Sequence, residues 1–145
     1  MSTQPSRPCT APGCNALVRG GGRCQRHALQ SERDRGTSTD RGYDRFHRQL
    51  RITCFQRDAW RCVDCGWEPD MVTLYRSHSL GDPPTDRVLD ELRRRKLRGE
   101  RHLHADHVIP IQDRPELRLD LDNMATRCDR CHDARTMRQT NQRVM

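Results

Sequence analysis

A chain of 145 residues has room for one compact domain and an appendage. Leu, Ile, Val and Phe total 23 residues against 32% charged residues, so an apolar core alone cannot carry the fold; the eight cysteines are the other source of stability, through disulfides or metal. The formal charge is +7, and Lys96 is the only lysine, so the excess is arginine; this favours nucleic acid over a membrane or an acidic protein, with plain solubility charge as the bland alternative.

The first residues, MSTQPSRPCTAPG, carry no apolar run and do not read as a secretory signal. No stretch reaches the roughly 18 apolar residues of a membrane span. The expectation is a cytoplasmic protein whose cysteines bind metal rather than pair as disulfides.

Residues 9–27, CTAPGCNALVRGGGRCQRH, place Cys9, Cys14, Cys24 and His27 at Cys-x4-Cys-x9-Cys-x2-His spacing. Three thiolates and an imidazole can close a tetrahedral zinc site, and Pro12-Gly13 and Gly20-Gly21-Gly22 give the turns to wrap it. Residues 1–30 are therefore read as a zinc knuckle, against a loose arm with free thiols. Residues 31–42 are read as a solvated linker, the polar stretch 28–42 being partly helical at its start.

Between Tyr43 and Trp60, Tyr43, Phe46 and Leu50 recur at helical spacing, with Asp40 as the candidate N-cap. Arg45, Arg48, Arg51 and Arg57 form either a wet basic face or a phosphate-binding one. Cys54 has no partner by spacing and reads as a small buried hydrophobe. RCVDCGWEPD follows, with Cys62 and Cys65 in a Cys-x2-Cys knuckle. A helix is expected after Thr85, acidic early, basic late, stopped by Gly99, with Val88, Leu89, Leu92 and Leu97 as its apolar stripe. Residues 101–111 alternate as a strand, and a second short strand falls at Met124 to Thr126. A helix after Cys131 carries His132 and Arg135.

Cys128, Cys131 and His132 spell Cys-x2-Cys-His, which also fits covalent haem attachment. The pairs Cys62/Cys65 and Cys128/Cys131 instead make a four-thiolate zinc site that pins the chain between them. If they do, haem is excluded and His132 is released for other work.

Asp106 and His107, then Asn123, then His132, lie at intervals of 15 and eight residues, bracketed by these cysteine pairs. The sequence ADHVIPI … LDNMATRCDRCHDART resembles the HNH endonucleases, the ββα-metal nucleases, in the variety with four zinc-binding cysteines found in bacteriophages. The resemblance spans residues 43–138, and implies an α+β fold: a small ββα-metal core stapled by the four-cysteine zinc, with flanking helices and the N-terminal zinc knuckle. The nuclease domain would occupy residues 43–140, with residues 70–101 as a helix-bearing insertion longer than a minimal core needs.

The resemblance also assigns roles. Asp106 and His132 would hold one divalent cation, Mg2+, Mn2+ or Ni2+, beside one or two structural Zn2+. His107 would be the general base toward water attacking phosphorus in line. Asn123 would tie the loop between the strands and aim His107. Arg135 would clamp phosphate, although the family often has lysine there. Apart from the resemblance, alternation puts His102, His104 and Asp106 on one strand face, where His104 is either a neighbour of the metal or, the preferred reading, exposed to solvent. The implied function is hydrolysis of double-stranded DNA by a phage protein in DNA processing or packaging, in the host cytoplasm, with the phage terminase as a candidate partner. Two readings compete: a non-catalytic zinc-containing nucleic-acid-binding protein, and a c-type cytochrome.

Overall fold

The computed structural model describes residues 4–144, with the side chains of the last two left aside. The chain divides into two compact units, the first ending at Asp44 and the second beginning at Arg45.

In the first unit, β1 (Ser6–Pro8) and β2 (Leu17–Arg19) pair antiparallel, and α1 (Gln25–Arg35) follows. Gly20, Gly21 and Gly22 all take positive φ, which lets the chain double back so that Thr10 N donates to Gly22 O at 3.0 Å. Helix α1 has 11 residues, none of them buried. Apolar packing therefore does not hold it; Cys24 and His27 tie its first turn to the cysteines of the hairpin side. The stretch expected to be mostly linker is helical through Arg35, and Gly36 (φ 69°) ends the helix. Asp40 does not cap the next helix. Its carboxylate accepts from Thr37 N (2.8 Å) and Thr37 Oγ1 (2.6 Å), closing a local turn.

The second unit runs α2 (Arg45–Arg57), α3 (Asp70–Ser77), α4 (Thr85–Leu97), β3 (Leu103–His107), β4 (Met124–Cys128) and α5 (Asp129–Val144). Strands β3 and β4 are antiparallel, with Leu103 opposite Cys128 and His107 opposite Met124. Among the described residues the protein thus has five α-helices and two two-stranded sheets, the expected α+β class.

The core is Phe55, Trp60, Val72, Val88, Leu92 and Leu103, closed at one end by Cys62 and Cys128. Residues 70–101 are therefore not only a surface excursion: Val72 of α3 and Val88 and Leu92 of α4 complete this core. Leu97 leaves the expected stripe and is exposed. Thr85 is the first helical residue rather than the cap, and its Oγ1 accepts from Gln56 Nε2 (3.1 Å), tying α4 to α2. On α2 the buried face is one residue out of step with expectation. Tyr43 and Phe46 are exposed, while His47, Cys54 and Phe55 face inward. Cys54 is fully buried, as a small hydrophobe should be.

Candidate active site and metal centres

Two clusters of potential metal ligands stand in the structure. Cys62 opens a tight loop in which Gly66 (φ 73°) donates back to Cys62 O, and Val63 N donates to Thr126 O at 2.9 Å, hanging the knuckle on β4. Cys128 ends β4 and Cys131 lies inside the first turn of α5, one turn earlier than the sequence suggested. All four sulfurs lie within 4.8 Å of one another, with Cys65 and Cys128 Sγ 3.8 Å apart. Zinc–thiolate bonds of about 2.3 Å in a tetrahedron require S···S of about 3.8 Å, whereas a disulfide requires about 2.05 Å. The donor set fits Zn2+. The same closeness removes the haem reading, because Cys128 and Cys131 face two further sulfurs.

The Cys62 thiol is held down at about 7: burial raises it, but backbone N–H groups of Cys128, Cys65 and Asp64 outweigh burial. Arg101 adds charge, with Nη2 donating to Cys65 Sγ (2.9 Å) and Cys128 Sγ (3.1 Å).

In the first unit, Cys9, Cys14, Cys24 and His27 likewise offer ligand atoms within 4.8 Å. His27 Nδ1 stands 3.5 Å from Cys9 Sγ and 3.3 Å from Cys24 Sγ, and Cys14 and Cys24 Sγ are 3.9 Å apart. The Cys9 thiol is pulled down to about 6, first by the backbone N–H of Cys24 and then by that of Ala11. This group also fits zinc in the chemistry of its donors.

The strand–helix junction holds the remaining residues. Strand alternation turns His104 and Asp106 to the α5 side and His107 to the α2 side. Asp106 Oδ1 lies 3.9 Å from His132 Nε2. His132 Nδ1 donates to Asp133 Oδ1 at 3.2 Å; in the neutral tautomer that this bond selects, Nε2 carries the lone pair and faces the Asp106 carboxylate. Two acceptors at that distance make no hydrogen bond. A cation with bonds of about 2.1 Å bridges donors between about 3.0 Å and 4.2 Å apart, so the pair fits one small divalent ion.

His107 is 8% exposed and its Nε2 donates to Arg118 O at 3.0 Å. The carbonyl fixes the tautomer and leaves the lone pair on Nδ1. Buried His47 of α2 packs its ring 5.4 Å from that of His107, a neighbour the sequence did not reveal because no motif surrounds His47. Asn123, buried, has Oδ1 accepting from Ile109 N (2.8 Å) and Nδ2 donating to Ile109 O (3.0 Å).

Arg135 Nη2 donates to Val108 O at 2.5 Å and its Nε is 3.7 Å from Asp106 Oδ2. His104 differs from expectation. It is half-buried and stacked on His132 (ring centroids 4.6 Å, 11° apart). Burial first, then His132 and His102, push its imidazole down to about 4, so it is neutral at pH 7. Arg57 also changes role: Nη1 and Nη2 donate to Leu121 O (2.7 Å) and Met124 O (2.6 Å), on either side of Asn123. Arg127 was missed altogether. It is buried on β4 and donates to Asp64 and Asp106.

Residues 94–138 match the family model described as HNH endonuclease. This segment is similar to an HNH endonuclease domain. The HNH segment takes in Asp106, His107, Asn123, His132 and the second cysteine pair, while Cys62, Cys65 and the N-terminal unit lie outside it. No curated protein and no solved structure matches the chain.

Proposed function

We propose that this protein is a metal-dependent endonuclease that hydrolyses phosphodiester bonds in double-stranded DNA. The observation that carries the reading is the approach of Asp106 Oδ1 and His132 Nε2 to 3.9 Å, with His107 the next residue along β3. A divalent ion, Mg2+, Mn2+ or Ni2+, would supply Lewis acidity toward a phosphate oxygen there.

The chain's own groups do the rest. His107 Nδ1 accepts a proton from attacking water, while Arg118 O holds the ring by Nε2. Asn123 closes the loop after β3 by holding both backbone groups of Ile109, and that loop carries Arg118. Arg135, partly exposed beside Asp106, offers the positive charge of its guanidinium to a phosphate oxygen. The two cysteine clusters are read as structural zinc sites. For the biological setting we propose phage DNA processing or packaging in the host cytoplasm, with a terminase as partner. It rests on the resemblance of the motif alone; no helix among the described residues is long and apolar enough to cross a membrane.

Supercoiled plasmid incubated with wild type and Mg2+ or Mn2+ should be nicked or linearised. His107→Ala should lose at least about a hundredfold of that rate, the low end of general-base contributions, with zinc content unchanged. Equal cutting by the variant would remove the mechanism. Salt-dependent DNA binding without cleavage under any of the three metals would favour the non-catalytic module.

A further inference from the structure

We propose that Arg127 is a positioning residue that couples the Cys62–Cys65 knuckle to the metal-binding carboxylate and holds Asp106 Oδ1 toward His132. The inference rests on the reading of Asp106 and His132 as ligands of one cation.

Arg127 stands on β4, where all five residues are buried, and is itself 6% exposed. An apolar side chain would fill such a place at less cost, since a buried guanidinium must be paired to be tolerated. Arg127 is paired on two edges of its fork: Nε donates to Asp64 Oδ2 at 2.8 Å and Nη1 to Asp106 Oδ2 at 3.0 Å. A planar fork fixes the angle between the two carboxylates as well as their distance.

Asp64 sits between Cys62 and Cys65, so wrapping of the knuckle sets its position. Val63 N to Thr126 O fastens the same loop to β4. The chain of support is thus knuckle, Asp64, Arg127, Asp106. It occupies Oδ2 and leaves Oδ1 as the oxygen nearer His132. A role in binding DNA phosphate is excluded for Arg127, because it is buried with its fork engaged by two carboxylates.

The sign of the effect separates positioning from simple electrostatics. Deleting a positive charge beside a cation site should by itself tighten cation binding. Losing an outer hydrogen bond to a ligand should weaken it, by about tenfold to a hundredfold.

The test is calorimetric titration of Mn2+ into the full zinc-loaded chain, with zinc content and melting temperature measured on each sample. Arg127→Met should bind Mn2+ at least about tenfold more weakly than wild type, at unchanged zinc content. Asp64→Asn changes a half-exposed side chain and keeps the buried arginine, so it covers the case in which Arg127→Met fails to fold. It should weaken Mn2+ in the same direction, and the double variant should lose no more than Arg127→Met alone. Asp106→Asn serves as the reference for a lost ligand. Unchanged or tighter Mn2+ binding by Arg127→Met, or by Asp64→Asn should the first not fold, overturns the inference while wild type binds and Asp106→Asn does not. If Asp106→Asn binds as wild type does, or wild type does not bind, the ligand assignment itself fails and the inference falls with it.

Discussion

Asn123 shows how much one amide does here. Its side chain meets both backbone polar groups of Ile109, and its own carbonyl accepts from Val108 N at 2.8 Å. The whole excursion from Val108 to Asp122 is closed by this residue, and Arg57 grips the carbonyls flanking it. In Asn123→Ala, Ile109 N and O lose their partners in a half-buried place. The cost of unsatisfied groups of this kind is about 1–3 kcal/mol. The variant should therefore melt about 4–8 °C lower, the shift that about 1 kcal/mol gives in a domain of this size. Asn123→Asp should not rescue it, because a carboxylate meets Ile109 O with no proton to donate. A melting curve for Asn123→Ala that overlays wild type would show that the loop closes without this tie. The sequence named Asn123 through its place in a motif. It could not name Arg127 or His47, because each matters through a partner 21 or more residues away and neither breaks a periodic pattern.

At the scale of elements, α3 and α4 stand together through charges rather than caps. Pro69, the residue before α3, makes no side-chain cap; Glu91 of α4 supplies one from a distance, accepting from Asp70 N and Met71 N at 2.9 Å each. Helix α4 was legible because its stripe and its acidic-to-basic order agree with the helix dipole. Helix α3 was not: eight residues give barely two turns of pattern, and its cap lies 20 residues downstream. Strands β1 and β2 escaped for a similar reason, three residues each with no buried face. The other staple of this region is Glu68, which accepts from Arg61 (3.0 Å) and Thr73 (3.0 Å) and pairs with Arg76 (3.1 Å). Burial raises its carboxyl, but Arg61, Thr73 and Arg76 outweigh it and hold it below the usual 4.5. A depressed carboxylate contributes stability above its unfolded value and loses it as pH falls through the folded one. Glu68→Gln should thus be less stable than wild type by about 1–2 kcal/mol at pH 7, the range for hydrogen bonds to a charged group. That difference should shrink as pH drops below 4.5. Urea midpoints of both proteins at pH 7 and pH 4 check it; a difference that grows in acid would contradict the assigned sign.

For the whole molecule, the deciding quantity is the ratio of apolar burial to metal. The core of the second unit has few large side chains, and two of its eight buried members are Cys62 and Cys128. Helix α1 of the first unit buries nothing. Small domains hold about 5–15 kcal/mol of stability, while zinc bound by thiolates and imidazole brings about 10–16 kcal/mol linked to folding. Each unit should therefore stay folded only while its own zinc is bound. Purified protein should contain two zinc ions per chain. His27→Ala should lose one and keep the melting transition of the second unit, because its ligands all lie in that unit. Cys65→Ser should lose the other, and that transition with it. Core residues Leu103 and Cys128 belong to β3 and β4, so collapse of this cluster must also scatter Asp106, His107 and Asn123. Chelation should accordingly abolish far-ultraviolet helicity and Mn2+ binding together. A zinc-stripped chain that keeps its helical circular dichroism and a cooperative melt would mean that the core, not the metal, carries the fold.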